Sequence, residues 1–187
     1  MLEVDPFDQP NVQESKDLTR DLLDEYKATG TLPEGEPIWS DEAIALYGDG
    51  ATASAVAESR SFAAALKAHL ALLRPGDYAA LTAYLHRGPG TEEALTAIRR
   101  RVRDRFRVAT TVGYGPRFLH STGQLHKGGG DNGLFLQFTA DDRTDLPIPG
   151  EPYSFGIMKR AQALRVHLMG DPEAGLAKVR RAVERIR

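Results

Sequence analysis

A chain of 187 residues with 24 Lys and Arg, 26 Asp and Glu and no cysteine is long enough for one well-buried domain and too short for two large ones. The net charge of −2 gives no electrostatic reason for a polyanionic partner, and the missing thiols exclude disulfides and thiolate metal sites, in keeping with a reducing cytoplasm. No apolar run approaches the ~18 residues of a membrane span and no basic-then-apolar leader opens the chain, so a soluble cytoplasmic protein is expected.

In chain order, Pro6 and Pro10 bracket a short turning stretch, because proline fixes its own φ and keeps the preceding residue out of the helical region. Asn11 and Glu14 form a capping-box pattern that predicts a helix start. Leu18, Leu22 and Tyr26, at i, i+4 and i+8, predict its buried face, with Leu23 beside it and Lys16 outside the stripe. The Gly- and Pro-rich TGTLPEGEPIW then reads as a surface connection and hinge.

Behind it, AIALYG (43–48) predicts a short buried strand, VAESRSFAAALKAHLALL (56–73) a helix and DYAALTAYL (77–85) a strand. The clearest helix is 91–106, where Leu95, Ile98, Val102 and Phe106 fall three or four apart, glutamates lead and arginines close. Strands follow at 107–115, 133–140 and 164–169, and helices at 154–164 and 171–187, the last with Asp171 as N-cap and Pro172 at the first helical position. This alternation predicts an α/β fold, a mainly parallel sheet of about five strands with helices on both faces. Three segments are expected within one compact domain: 1–30, a 31–40 linker and a 41–187 module.

The densest polar chemistry lies in FLHSTGQLHKGGGDNG (118–133), read as a Gly-rich loop between two strands. Its His120, Ser121, Thr122, Gln124, His126 and Lys127 offer hydroxyl, amide and cationic groups, and Gly128, Gly129 and Gly130 allow backbone N–H groups to surround an oxyanion. At a parallel strand's carboxyl end such a loop binds a sugar phosphate, or else it is a connection that satisfies its own backbone. The Gly-Lys-Ser/Thr order of a P-loop is absent. His120 and His126 lack the spacing of a known ligand pair, so no metal and no cofactor are expected. His69, His86 and His167 read as packed or surface residues, and IRRRVRDRFR as a solvated helix face rather than a nucleic-acid site.

Lys16, one turn inside a helix start, could add charge to the anion-favouring N–H groups there, or simply be a solvated helix lysine. PFDQPNVQESK resembles the C-terminal signature of phosphoglucose isomerases, whose Asp-Gln-Pro/x-x-Val-x-x-x-Lys run ends in an active-site lysine. YGPRFLHSTGQLHKGG and DLPIPGEPYSFGIMKRAQAL resemble the C-terminal part of the bacterial transaldolase/phosphoglucose isomerase fusions, so the resemblance covers almost the whole chain but only the tail of the family protein. It implies that Lys16 is catalytic and that glucose 6-phosphate and fructose 6-phosphate interconvert through an enediol; it favours a functional 118–133 run without assigning roles there, and Gln9, His120, Ser121, Thr122, Gln124, His126, Lys127, Gly128 and Gly129 are the expected substrate contacts.

Two departures accompany it. The sugar-isomerase domains with their phosphate loops and proton-moving glutamate precede the lysine in the family and not here, so the chain reads as a fragment or a separately encoded tail, inactive alone. AQALRVHLMG is also shorter than the family pattern. The implied partners are the remaining isomerase domains or a partner polypeptide, with neither nucleic acid nor membrane and with self-association permitted. The alternative reading is a non-catalytic sugar-phosphate-binding or assembly module of such a fusion.

Overall fold

Helix α1 (Pro10–Thr29) opens the computed structural model, which describes residues 10–164, 166 and 167. Its first turn begins at Pro10 rather than after Asn11, as suits a residue whose N–H a helix start does not need. Leu23 is the buried residue of this helix, whereas Leu18 is 58 % exposed and Leu22 and Tyr26 are half-buried. The expected stripe is therefore rotated: α1 rests on the module along Leu23 and the flank that leads to Thr19 and Leu22. Gln9 and the predicted 171–187 helix lie outside the described residues.

The centre of the fold is β3 (Tyr78–Tyr84), paired in parallel with β4 (Ala109–Tyr114) on one side and β5 (Gly133–Thr139) on the other, in the order β4-β3-β5. Every β3 residue after Tyr78 is buried, as expected of a central parallel strand. Ala79, Leu81 and Ala83 join one core with Leu95, Ile98 and Val102 of α4 (Pro89–Phe106) and with Phe62, Leu66 and Leu70 of α3 (Phe62–Leu70). Each such large side chain removed from water contributes about 1.5–3 kcal/mol. The alternate β3 positions carry Thr82 and Tyr84; the Tyr84 hydroxyl donates to the Gln162 carbonyl at 3.2 Å and its ring meets Phe118 edge-on at 5.5 Å.

Helix α4 has the punctuation read from sequence: Pro89 in the first turn, Glu92 near the start, Arg103 and Arg105 in the last turn. Arg107 ends it in the left-handed region at φ 57°, its N–H on the Arg103 carbonyl. Phe106 is half-buried, and Arg100, Arg101, Arg103 and Arg105 are exposed.

A second, antiparallel sheet, β1-β2-β6, joins β1 (Trp39–Ser40), β2 (Ala45–Leu46) and β6 (Val166–His167). The expected sheet of about five strands is thus present as a three-stranded parallel sheet and a small antiparallel one, with β6 running beside β5. The strand predicted at 43–48 is regular only at its middle, because Asp41 caps the turn before it by accepting the Ala43 and Ile44 N–H groups. Of the helix predicted over 56–73 only α3 is regular, and a helix not expected from sequence, α2 (Gly50–Val56), precedes it. Asp49 and Ser61 cap them, each accepting from an N–H three residues on. Trp39 ties β1 to α3, its ring 5.9 Å from that of Phe62 and its indole N–H donating to the Ser59 carbonyl at 3.1 Å.

Candidate functional site

The polar run read as a loop is instead mostly helical. Chain leaving β4 makes a tight 3-10 turn (Arg117–Leu119) and then α5 (Ser121–Gly128), which returns it to β5. The turn depends on Gly115, where an added Cβ would lie 2.3 Å from the Tyr84 ring. Helix α5 packs against α1.

Lys16 is exposed on α1. It precedes Leu23 by seven residues, close to two helical turns of ~3.6 residues, and so lies on the Leu23 side of α1. His120 is exposed at the N-terminal end of α5 and makes no side-chain cap there. The Thr122 hydroxyl donates back to the Phe118 carbonyl at 2.9 Å. Ser121, Gln124, Lys127 and Gly128 are placed on the same helix by their backbone. The Gly129 N–H is used on the Leu125 carbonyl at 3.1 Å, where it ends α5. A helix C-terminus carries partial negative charge and its N-terminus partial positive charge, so an anion near α5 is favoured at the His120 end rather than at the glycines.

His126 points inward. Its Nδ1 lies 2.9 Å from the Tyr78 hydroxyl, its ring stacks on that of Tyr78 at 5.7 Å and meets Phe135 edge-on at 5.1 Å. Phe135 is also met, at its backbone, by His69 of α3. Its Nε2 is 3.1 Å from the Phe135 carbonyl; a carbonyl only accepts, so Nε2 bears the proton and Nδ1 is free to accept from Thr52 Oγ1 at 3.5 Å. This neutral form is the one burial favours, and desolvation lowers the His69 pKa from its ordinary 6.5. His86 is exposed past the end of β3.

Both inward histidines line a cleft of about 620 Å³ between α1, α3, α5, α6 (Phe155–Ala163) and β5. Its wall is mainly apolar and, among the described residues, contains no lysine or arginine. The Thr82 hydroxyl and Gln137 side chain face one another at 3.5 Å, and the Gln137 amide donates to the Ala163 carbonyl. A smaller cavity of about 310 Å³ adjoins it, sharing Tyr47, Gly48, Asp49, Ala163 and Leu164, and is lined further by Glu34, Glu36, Thr139 and Arg160. Arg160 pairs there with Glu34. This polar recess and the part of His69 in the larger cleft were not foreseen from sequence. Their residues are scattered from 34 to 164, and no local spacing joins them.

The lowered His69 pKa has a testable sign. A histidine kept neutral by the fold adds stability in full above the unfolded pKa near 6.5, and this is lost as pH falls toward the lower folded value. Urea unfolding at pH 7.5 and 5.0 should show a smaller loss of stability for His69→Phe than for the unaltered chain; an equal loss in both would exclude His69 as a source.

The chain matches no protein-family model, no curated protein and no solved structure.

Proposed function

We propose that this chain is the C-terminal portion of a glucose-6-phosphate isomerase of the transaldolase-fusion type, a cytoplasmic, cofactor-free aldose-ketose isomerase. The reading rests on the PFDQPNVQESK resemblance, and the observation that supports it most is the packing of the Lys16 helix α1 on α5, the helix of the HSTGQLHKG run. In this proposal the sugar ring opens by acid/base transfer and a proton then moves between C1 and C2 through an enediol. The Lys16 ammonium, carried on the Leu23 side of α1, stabilises the developing oxyanion, which is where a preorganised cation has most effect. The proton-moving carboxylate and phosphate-binding loops come from the remaining isomerase domains or a partner polypeptide, so this chain is inactive alone.

The apolar cleft is not the phosphate's place in this reading, because its wall offers no lysine or arginine and a dianion there would be desolvated without a partner. Substrate contact falls to Gln9, Lys16, His120, Ser121, Thr122, Gln124, His126, Lys127, Gly128 and Gly129, with the α5 N-terminus as the side that favours negative charge. The same proposal covers the parallel sheet with α3 and α4 on one face and α5 and α6 on the other, which right-handed crossovers from β3 to β4 and back from β4 to β5 would produce. It also extends β6 along β5 to unite the two sheets. The second reading, a non-catalytic sugar-phosphate-binding or assembly module, is favoured by the apolar cleft, which suits packing better than sugar chemistry.

An NMR titration of the chain with fructose 6-phosphate separates the two. Shifts at Lys16 and at residues 118–133 that saturate together are expected of half an active site. Absence of any saturable shift would leave a docking module without a substrate site.

A further inference from the structure

Strand β4 is the open edge of the central sheet. Among the described residues it has β3 on one side and no strand on the other, whereas β5 has β6 beside it. The Gly115 N–H reaches back to the Ala83 carbonyl of β3 at 2.9 Å. Main-chain groups alternate in direction along a strand, so those of Thr111 and Gly113 also face β3, and the N–H and C=O of Thr110, Val112 and Tyr114 face outward. Among the described residues no hydrogen bond uses these outward groups. Open edges in stable proteins usually carry a lysine, a proline or a bulge that discourages pairing. ATTVGY carries none of these, and Val112 at its middle is 36 % exposed.

This edge is complementary to itself. Thr110, Val112 and Tyr114 share one face of the sheet, and among the described residues the Thr110 hydroxyl and the Tyr114 phenol oxygen are both buried without a hydrogen-bond partner. Turned about a two-fold axis at Val112, an antiparallel second β4 sets Val112 opposite Val112 and Thr110 opposite Tyr114 at either end. Every outward main-chain group then meets its complement, and each orphan hydroxyl stands in a cross-strand pair with the other. The same axis brings α4 beside its copy. The Arg87 guanidinium lies 2.6 Å from Glu92 and 5.5 Å from the Tyr114 ring, which puts the Glu92 flank of α4 on the β4 side. Arg99 and Arg103 follow Glu92 by close to two and three turns of ~3.6 residues and share that flank. Because α4 runs opposite to β4, the two-fold sets the acidic start of one α4 against the basic end of the other.

We propose that two copies of this chain associate through β4, pairing antiparallel about Val112 so that one sheet runs through both molecules, with α4 beside α4 and Glu92 of each copy toward Arg99 and Arg103 of the other. The dimer is independent of the isomerase reading, since it requires only the open edge and the charge pattern of α4.

Sedimentation equilibrium of the full chain is expected to give a dimer, and Val112→Lys, which sets a charge on each side of the axis, a monomer with unchanged far-ultraviolet circular dichroism. A monomeric unaltered chain would overturn the proposal and leave the edge to a different protein. A dimer that persists in folded Val112→Lys would overturn it too, because the contact would then lie elsewhere. The absence of cysteine supplies a second measurement that does not depend on how the lysine variant folds. Under mild oxidation Val112→Cys should form a disulfide-linked dimer, whereas Leu146→Cys, 62 % exposed in the wild-type residue but far along the chain from β4, should stay a monomer on a denaturing gel. Equal crosslinking at the two positions, or none at Cys-substituted Val112, would count against pairing about this axis.

Discussion

Lys16→Ala in the complete enzyme of the proposed isomerase reading is expected to reduce kcat by about 10²- to 10³-fold, the range seen when one stabilising group is removed from a developing oxyanion. Folding should be unaffected, because Lys16 is exposed on α1 and alanine is the better helix former. Lys16→Arg should restore part of the rate, since it keeps the charge but spreads and displaces it. The measurement is kcat and KM for both sugar phosphates beside a thermal melt. Unchanged kcat would remove Lys16 from the chemistry, and with it the main support for the isomerase assignment.

Gly115→Ala is expected to be the most destabilising conservative change in the module. The new methyl would sit 2.3 to 2.6 Å from three Tyr84 ring atoms. That ring is only 2 % exposed, is held by the hydrogen bond to the Gln162 carbonyl and rests edge-on against Phe118, so it has no free direction in which to retreat. A cost of about 3 kcal/mol, the upper end of overpacking penalties, follows, lowering Tm by about 6–12 °C for a chain of this size. Tyr84→Leu introduced with Gly115→Ala should recover part of the loss, because the two positions touch and their effects are therefore not additive. Equal melting temperatures for Gly115→Ala and the unaltered chain would show that the β4 turn can shift as a body.

The elements that sequence made legible are those with one dominant signal. Leu95, Ile98 and Val102 recur at helical spacing behind Pro89 and ahead of paired arginines, and α4 stands where they place it. Likewise GLFLQFT, apolar with polar turns on either side, is β5. Helix α5 was hidden because Gly123 and the Gly128–Gly130 run imitate a loop, although Gly129 ends a helix there by giving its N–H to Leu125. Helix α2 was hidden for the opposite reason: GATASAV has no large residue before Val56 to mark a period. The strand order β4-β3-β5 and the pairing of β2 with β6 depend on contacts far apart in the chain, which local pattern does not encode.

Of the candidate site, sequence located Lys16 and the 118–133 run, and the fold sets α1 and α5 side by side. It gave no sign that His126 would turn inward to Tyr78 or that His69 would bond the Phe135 carbonyl. Neither arrangement leaves a trace in spacing, since Tyr78 and His126 come from different elements.

The pairing of β2 with β6 bears on how the chain is made. Strands of two residues cannot hold together as a hairpin in water, and β2 gains its second neighbour only at Val166 and His167, about 120 residues later. At ribosomal speeds of ~5–20 residues per second that interval is about 6–24 s. Throughout it β2 has only β1 beside it, so its small sheet is completed only after β3, β4 and β5 have been synthesised.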